Sequence, residues 1–371
     1  MKRLILLGGG HAHVHVLAAL QAQALPDCEV VLVSPFERQI YSGMLPGWIA
    51  GHYPIEACAL DLRQLAARAG VRFVQAEGVA LDADAGNLAC SDGARLDYDL
   101  LSIDTGSRTA LEAIAGAAEH ALPVRPIESF VGGIESLLVR CREARDHPVA
   151  IIGGGVAAVE LAFAIHHRLA GEGLSPALSV IGDAGLPLGG LARRLQWKCL
   201  SMLAERGIQW HAGSRVVALD GSHAELSDGT RIPAGHALLV TGAGAPDWPA
   251  GSGLALDRDG FIRVAATLQS VSHAGVFAAG DVAAYDDPRP KSGVFAVRAG
   301  PPLAENLRRA VQGAALTDWQ PQKRALYLVA TGGRHALGAW GPLGWWGGWV
   351  WRWKDHIDRS FMRRFGNPHV G

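Results

Sequence analysis

Two glycine-rich turns have the residue types and the spacing needed to bind phosphate groups. Gly8 and Gly10 follow one short apolar run, and Gly153 and Gly155 follow another. Glycine permits a tight turn after a buried strand and lets the backbone approach a pyrophosphate, which the free N–H groups of the next helix then bind. Two such turns in one chain of 371 residues predict two dinucleotide sites.

The two turns match the dinucleotide fingerprint to different degrees. In the first, His13 takes the third glycine position, and Ser34 stands about twenty residues on, where an acid normally binds the ribose. In the second, Ala158 occupies the third small position, and Asp183 stands at the ribose position, after the next apolar run. A carboxylate there accepts from a ribose 2′-hydroxyl and repels a 2′-phosphate, so we expect NADH to be favoured modestly over NADPH.

A third segment places an acid at the end of a predicted strand. Residues 275–279 read as that strand, and Gly280 and Asp281 follow it. A carboxylate in this position can accept charge-assisted hydrogen bonds. Asp281 is therefore a candidate contact residue, and a solvated loop aspartate is the alternative.

Three histidines, at positions 11, 13 and 15, follow the first turn. His11 and His15 would share one face of a helix, as metal ligands four residues apart must. No Cys, Asp or Glu follows nearby to complete a ligand shell, so we predict no metal site. We expect these side chains to pack or to contact a cofactor instead.

The cysteines and the net charge argue against several classes of protein. Five cysteines, at 28, 58, 90, 141 and 199, contain no Cys-x-x-Cys pair, and their odd number argues against the disulfide framework of a secreted protein. A net charge of −1 gives no electrostatic reason to expect a nucleic-acid partner. No apolar run reaches the roughly eighteen residues of a spanning helix. We therefore expect a cytoplasmic protein.

The order of these segments resembles the pyridine nucleotide-disulfide oxidoreductase superfamily, whose members hold FAD opposite a nicotinamide. The two turns and the segment 276–281 carry the resemblance. It implies an α/β fold of two Rossmann-like, three-layer domains, with the NAD(P)H-binding domain inserted in the FAD-binding domain. The expected bounds are 1–122 and 245–320 for the FAD-binding domain, 123–244 for the NAD(P)H-binding domain, and 321–371 for a C-terminal α/β appendage with an amphipathic, tryptophan-rich helix.

The resemblance also implies a set of cofactor contacts. The nicotinamide dinucleotide would be bound by Gly153, Gly155, Ala158, Asp183 and Gly242. Asp281 would accept hydrogen bonds from the ribityl hydroxyls of FAD. The positions implied in FAD binding are Gly8, Gly10, His11, Ala12, Ser34, Arg38, Thr105, Gly106, Gly280, Asp281, Ala299 and Gly300.

Two further residues are implied in catalysis. Glu160 matches a glutamate that related NADH dehydrogenases place beside the nicotinamide and the flavin, and an ordinary first-turn helix carboxylate is the alternative. Lys291 would add positive charge at the pyrimidine edge of the flavin, or would be a surface cation. A helix expected over 303–311 would point its N-terminus at the same edge.

The stretch 38–51 lacks the redox cysteine that disulfide-reductase relatives carry after the second strand, and Ser42 stands near its place. Without a thiol relay, a flavin reduced by NADH passes its electrons directly to an acceptor, and we expect a quinone-like one. One alternative is reduction of a sulfur or selenium species, with Cys58 meeting the flavin in space. A flavin-binding redox sensor without turnover is another.

Six of the eleven tryptophans fall between positions 340 and 353. Tryptophan flanked by Arg and Lys is typical of a helix in a membrane interface, so we expect peripheral membrane contact through 340–365, at the inner face of the cell membrane. The alternative is a helix that covers the flavin domain or a homodimer partner. This region resembles type II NADH dehydrogenases, and the whole chain resembles flavoproteins found fused to selenide, water dikinase. The stripe recurs every four residues, at Trp349, Trp353, Ile357, Phe361 and Phe365.

Overall fold

The computed structural model describes residues 1–144 and 147–366, and it confirms an α/β fold. The first part of the chain builds a five-stranded parallel sheet around the strand Lys2–Leu7. Residues 4–7 of that strand are almost wholly buried, as a parallel strand covered on both faces requires. The strands in spatial order are Val276–Ala278, Leu100–Ile103, Lys2–Leu7, Cys28–Ser34 and Arg72–Gln75.

Helices cover one face of this sheet and an antiparallel sheet covers the other. Leu6 packs with the helices, whereas Leu7 packs with the antiparallel strands, because successive side chains of a strand point to opposite faces. The helices are His11–Ala22, Leu62–Arg68 and Gly293–Gln312. The antiparallel strands are Gly78–Asp82, Asn87–Cys90 and Arg95–Asp97.

A second part of the chain repeats this three-layer plan. It begins at Ala121–Pro123 and ends at His236–Leu239, and these two strands pair in parallel. The sheet order is Ala121–Pro123, His236–Leu239, Val149–Ile152, Leu178–Gly182 and Gln209–Ala212. Helices Ile127–Glu143, Val156–Gly171 and Arg193–Glu205, and the antiparallel strands Val216–Leu219, His223–Leu226 and Arg231–Pro233, complete it.

The chain then returns to the first sheet through Val276–Ala278. Strands Arg108–Thr109 and Ala243–Gly244 pair where the chain leaves and re-enters the first part. The chain therefore forms one dinucleotide-binding fold inserted in another. The exact domain bounds, at 122 and 245, stay predictions. The remaining short elements are Arg38–Ile40, Leu45–Ile49, Ile55–Cys58, Ala59–Asp61, Ala117–His120, Ile262–Val264, Gly280–Val282 and Ala283–Tyr285.

The C-terminal part is a three-stranded antiparallel sheet followed by one long helix. The strands are Leu326–Ala330, Ala336–Trp340 and Leu343–Gly347. Gly348–Phe365 is the last helix of the described residues, and we call it the C-terminal helix. It packs on its own sheet and reaches back to the segment around Tyr41 in the first part.

The helix expected over 303–311 is longer than the sequence indicates. It begins at Gly293 and runs to Gln312, with Pro301 and Pro302 inside it. Proline is favoured in the first turn of a helix, which is why the sequence suggests a start after Pro302. Gly300 instead lies against the ring of His15, so the middle of this helix is fixed by the first helix of the chain.

The apolar stripe of the C-terminal helix does not face one environment. Trp349, Trp353 and Ile357 are exposed by 51, 38 and 38%, whereas Phe365 is buried. Each step of four residues advances about 40° beyond a full turn, so the stripe turns by about 160° between Trp349 and Phe365. Phe365, the last residue of the stripe, therefore packs inside the protein, and membrane contact through the rest of 340–365 stays a prediction.

Candidate active site

The first glycine turn has the geometry of a phosphate cradle. Gly8 has φ 96°, and a Cβ atom there would lie 2.5 Å from the carbonyl oxygen of Asp104. The helix begins at His11, directly after the turn. Within the described residues, no hydrogen bond engages the N–H groups of Gly9, Gly10 or His11, so these groups fit a pyrophosphate.

Asp104 is a central residue of this turn that the sequence analysis missed. Its buried carboxylate accepts a hydrogen bond from the N–H of His13 at 2.9 Å, and the N–H of Ala12 also points at it. Burial raises the pKa of Asp104 well above its usual range. A Cβ atom on Gly280 would lie 2.6 Å from Oδ1 of Asp104, so this carboxyl group also touches the segment of Asp281.

His13 explains why the third glycine position is not small. Its Nδ1 lies 2.6 Å from the carbonyl oxygen of Gly8, and its Nε2 lies 2.8 Å from Oγ of Ser102. The imidazole therefore ties the first helix to the strand Leu100–Ile103. Burial lowers the pKa of His13 to about 4, so the ring is neutral at physiological pH.

His11 and His15 lie among aromatic rings. Tyr41 and Phe361 stack at 4.4 Å between centroids, with His11 beside both, and Phe365 meets His15 at 4.6 Å. The Nε2 atoms of both histidines are buried and have no partner within the described residues. Burial lowers both pKa values to about 4. In that same part of the chain, no group of three or more His, Cys, Asp or Glu side chains is arranged to hold a metal.

Two side chains expected to contact FAD are engaged elsewhere. The hydroxyl of Ser34 donates to the carbonyl oxygen of Phe36 at 2.9 Å and accepts from the N–H of the same residue. The guanidinium of Arg38 pairs with Glu128 at 2.6 Å, across to the second part of the chain. Their roles in FAD binding stay predictions.

Asp281 lies in a largely buried polar position after the strand Val276–Ala278. Its carboxylate accepts from Oγ of Ser107 at 3.2 Å and lies 3.5 Å from the guanidinium of Arg125. Burial raises its pKa, although Arg125 opposes that shift. Gly280 adopts φ 72°, which favours glycine there. Thr105 and Gly106 come just before Ser107, which bonds to Asp281. These three residues expected to bind FAD, Thr105, Gly106 and Asp281, therefore lie near one another.

Lys291 is not a free cation. Its Nζ donates to the carbonyl oxygen of Ala283 at 2.5 Å and lies 3.8 Å from the ring centre of Phe261. Polar atoms surround the nearby helix start: a Cβ atom on Gly293 would lie 3.4 Å from Oγ of Ser42 and 3.9 Å from Nε2 of His11. Oγ of Ser292 is also buried without a partner in the described part of the chain. A helix N-terminus with these polar atoms suits an electron-rich ring edge.

The second glycine turn is open where a dinucleotide would bind. Gly153 has φ 136°, and a Cβ atom there would lie 2.5 Å from the carbonyl oxygen of Val240. Nothing lies within 4 Å of the position that a Cβ atom would take on Gly155 or Gly242. Ala158 is buried and Asp183 is exposed.

Glu160 does not end in solvent as a first-turn carboxylate would. Its Oε1 accepts a hydrogen bond from the N–H of Ala330 at 2.7 Å. Burial raises the pKa of Glu160 to about 7, while the ammonium of Lys354 and the N–H of Ala330 act in the opposite direction. The group can therefore exchange a proton near neutral pH.

Lys354 and Asp358 form a buried ion pair on the C-terminal helix. Nζ of Lys354 lies 2.7 Å from Oδ2 of Asp358 and donates to the carbonyl oxygen of Gly43 at 2.5 Å. The hydroxyl of Tyr41 donates to Oδ1 of Asp358 at 3.3 Å. Burial lowers the pKa of Lys354, but Asp358 and Glu160 outweigh it and raise the pKa overall, so the ammonium stays charged.

The cysteines form no disulfide, and Cys58 is poorly suited to thiol chemistry. All five cysteines are free. Cys58 is fully buried, and burial raises the pKa of its thiol to about 12. A thiolate is the reactive form of cysteine, so this thiol is unreactive at neutral pH.

A family model described as pyridine nucleotide-disulphide oxidoreductase matches residues 2–300, which include both glycine turns and Asp281. The chain belongs to this family. The resemblance expected from the motifs is thereby confirmed at the level of the superfamily, with FAD and NAD(P)H as the cofactors that the family implies.

Curated relatives of this pyridine nucleotide-disulphide oxidoreductase include proteins named for the oxidation of NADH and for the reduction of quinone. An NADH dehydrogenase-like protein of Mycobacterium tuberculosis is 28% identical over 298 residues, covering 76% of the chain and 73% of the relative. A type II NADH:quinone oxidoreductase of Staphylococcus aureus is 22% identical over 357 residues, covering 86% and 85%. The solved sulfide:quinone oxidoreductase of Aquifex aeolicus superposes with a TM-score of 0.82 at 19% identity, over 98% of the chain and 91% of that structure, which shows the shared fold.

Three residues of the candidate site were not found from sequence. Asp104 is an acid that directly follows the buried strand Leu100–Ile103, which was a usable signal. Lys354 and Asp358 are four residues apart on a helix that looks exposed and cationic, so their spacing alone did not indicate burial. Their partners, Tyr41 and Gly43, are more than 300 residues earlier in the chain.

Proposed function

We propose that this protein is an FAD-dependent NADH oxidoreductase that delivers electrons to a quinone-like acceptor at a membrane surface, without a thiol intermediate. FAD, when bound, supplies the hydride-accepting and electron-transferring chemistry. The first turn and Asp281 would hold FAD, and the second turn with Asp183 would hold the nicotinamide dinucleotide.

The buried pair of Lys354 and Asp358 is the observation that carries the proposal. Nζ of Lys354 touches the backbone at Gly43, next to Ser42, whose hydroxyl lies at the N-terminus of the helix Gly293–Gln312. A quinone gains negative charge on its oxygens as it is reduced, and then takes up protons. An ammonium held in a buried position stabilises such charge.

Glu160 would provide the acid–base chemistry beside that ammonium. Its pKa of about 7 lies near the working pH, which is the condition for efficient general acid–base catalysis. The ammonium of Lys354 lowers the pKa of Glu160, and Glu160 raises the pKa of Lys354, so the two groups interact electrostatically. Glu160 would therefore donate the protons that the reduced acceptor takes up.

A thiol relay or a reactive thiol for sulfur or selenium has no support in the structure. The resemblance implies that Ser42 stands near the place of the redox cysteine of disulfide reductases, and the thiol of Cys58 is buried and protonated. The likeness to flavoproteins fused to selenide, water dikinase remains a resemblance of sequence pattern. Direct transfer from flavin to acceptor needs no thiol, and a relative named for NADH:quinone oxidoreduction supports a quinone as that acceptor.

The membrane surface is proposed from an exposed aromatic patch. Trp345, Trp349 and Trp353 stack at 6.4 Å between centroids. On the opposite face of the strand Leu343–Gly347, Trp346 is exposed by 39% and lies with its ring centre 5.4 Å from Arg194. Indoles with neighbouring cations suit the headgroup level of an anionic bilayer. No helix of the described residues is long and apolar enough to cross a membrane.

Anaerobic stopped-flow spectroscopy tests the proposal. The FAD-loaded protein should be reduced by NADH, more readily than by NADPH, and should be reoxidised by soluble quinones faster than by disulfides or polysulfide. A variant with all five cysteines replaced by alanine should retain quinone turnover within a few fold. Reoxidation by disulfide alone, or collapse of turnover in a folded, FAD-loaded Cys58→Ala variant, would contradict the proposal.

A further inference from the structure

The indole of Trp210 lies against the second glycine turn, in a contact that the dinucleotide fingerprint does not require. A Cβ atom on Gly154 would lie 2.9 Å from the benzene edge of this indole, and a Cβ atom on Gly182 would collide with it. These two glycines stand at the carboxyl ends of Val149–Ile152 and Leu178–Gly182. Trp210 therefore reaches the edge of the sheet at which the dinucleotide would bind.

The indole is also held in place by the loop after Asp183. Nε1 of Trp210 donates to the carbonyl oxygen of Gly185 at 3.3 Å. The same loop is tied to the glycine turn by the N–H of Leu188, which donates to the carbonyl oxygen of Gly154 at 2.8 Å. Leu188 is fully buried, whereas Trp210 is only half-buried, so part of the indole remains open beside Asp183.

The position of Asp183 indicates which part of the dinucleotide would lie beside this indole. A carboxylate at the end of the second strand accepts from the ribose of the adenosine half of NADH. The adenine attached to that ribose needs a flat, apolar partner, and base–aromatic stacking supplies one. Register places Trp210 beside Val180 on the neighbouring strand, two residues before Gly182.

We propose that Trp210 stacks on the adenine of the nicotinamide dinucleotide and thereby positions it. The inference rests on NAD(P)H binding at the second turn, which is part of the proposed function. Stacking of a base on an aromatic ring changes affinity by about 10- to 100-fold. Trp210 is thus a binding residue for the adenosine half and has no role toward the nicotinamide itself.

Titration with ADP-ribose, followed by tryptophan fluorescence and by calorimetry, tests this inference in the FAD-loaded protein. ADP-ribose should quench the fluorescence of the parent protein. Trp210→Leu keeps an apolar group against both glycines but removes the ring, and should weaken ADP-ribose by about 10- to 100-fold. Trp210→Phe should retain most of the affinity. Trp197→Leu is the matched control, because Trp197 is exposed by 53% on the helix Arg193–Glu205.

Reduction of the flavin by NADH and by reduced nicotinamide mononucleotide gives a second readout. Trp210→Leu should raise the apparent Kd for NADH and leave reduction by the mononucleotide, which lacks adenosine, unchanged. Equal losses with both donors, or unchanged affinity of Trp210→Leu for ADP-ribose, would overturn the inference. A parent protein that binds ADP-ribose through Trp210 but never reduces quinones would overturn the proposed acceptor alone.

Discussion

The carboxylate of Glu160 accepts a hydrogen bond at 2.7 Å from the backbone N–H of Ala330, which lies 170 residues later in the chain. This bond joins the helix after the second glycine turn to the C-terminal sheet. The group proposed to supply protons is therefore held by two parts of the molecule at once. Its titration should report on both stability and turnover.

Glu160→Gln should reduce the pH dependence of stability. Burial raises the folded-state pKa from 4.5 to about 7, so the folded protein retains a proton that the unfolded chain has lost between these values. Stability from this group is present below pH 4.5 and falls as the pH rises to about 7, by about 3 kcal/mol. The variant should lack that fall, which thermal unfolding at pH 5 and pH 8 measures. Identical pH profiles for parent and variant would contradict the assignment.

Lys354→Met should destabilise the protein and slow quinone reduction. Removing the ammonium leaves the carboxylate of Asp358 buried without its ion pair, at a cost of about 3–5 kcal/mol. A double variant, Lys354→Met with Asp358→Leu, should regain much of the stability, because an apolar pair of similar size is often tolerated. Unfolding in urea measures the recovery. Quinone turnover should stay low in the double variant, and recovery of turnover along with stability would show that the pair is only structural.

Asp281→Ala should lower the FAD content of the purified protein. Loss of a charge-assisted contact to the ribityl hydroxyls weakens binding by about 2–3 kcal/mol. The ratio of flavin to protein absorbance after dialysis measures the loss, with the exposed Asp286→Ala as the matched control. Full flavin absorbance in the Asp281 variant would show that this carboxylate does not hold the cofactor.

Replacing Trp346, Trp349 and Trp353 with serine should weaken binding to anionic vesicles and leave NADH reduction of the flavin unchanged. These indoles are exposed, whereas truncation of the C-terminal helix would also remove Lys354 and Asp358. Co-sedimentation should show tighter binding to anionic than to neutral vesicles, and weaker binding at high salt. Val79→Ser is the control away from the patch, because Val79 is an exposed apolar residue of the strand Gly78–Asp82. Failure of the parent protein to bind anionic vesicles at either salt concentration would refute the membrane contact.

The repeated fold was predictable because its signals are local. A glycine turn after an apolar strand sets the backbone path over about ten residues, and the sequence shows that pattern twice. Asp281 was singled out in the same way, as an acid shortly after a strand, and its role in FAD binding stays a prediction. The family match confirms the superfamily that these short segments indicate.

The ion pair of Lys354 and Asp358 could not be predicted in this way, because burial depends on what packs against the helix. Tyr41 and Gly43 come from the other end of the chain. The partners of Ser34 and Arg38 were not predictable either: the side chain of Ser34 bonds to Phe36, and that of Arg38 pairs with Glu128. Sequence spacing gives the face of a helix but not the surface that covers it.

The rotation of the apolar stripe makes the C-terminal helix sensitive to chain length in its middle. Trp353 faces outward and Phe365 is seated against His15, twelve positions later. One inserted or deleted residue between Ile357 and Phe361 would turn the last segment by about 100° relative to the indoles. The number of residues between Trp353 and Phe365 therefore decides that the first points outward while the second packs inside the protein.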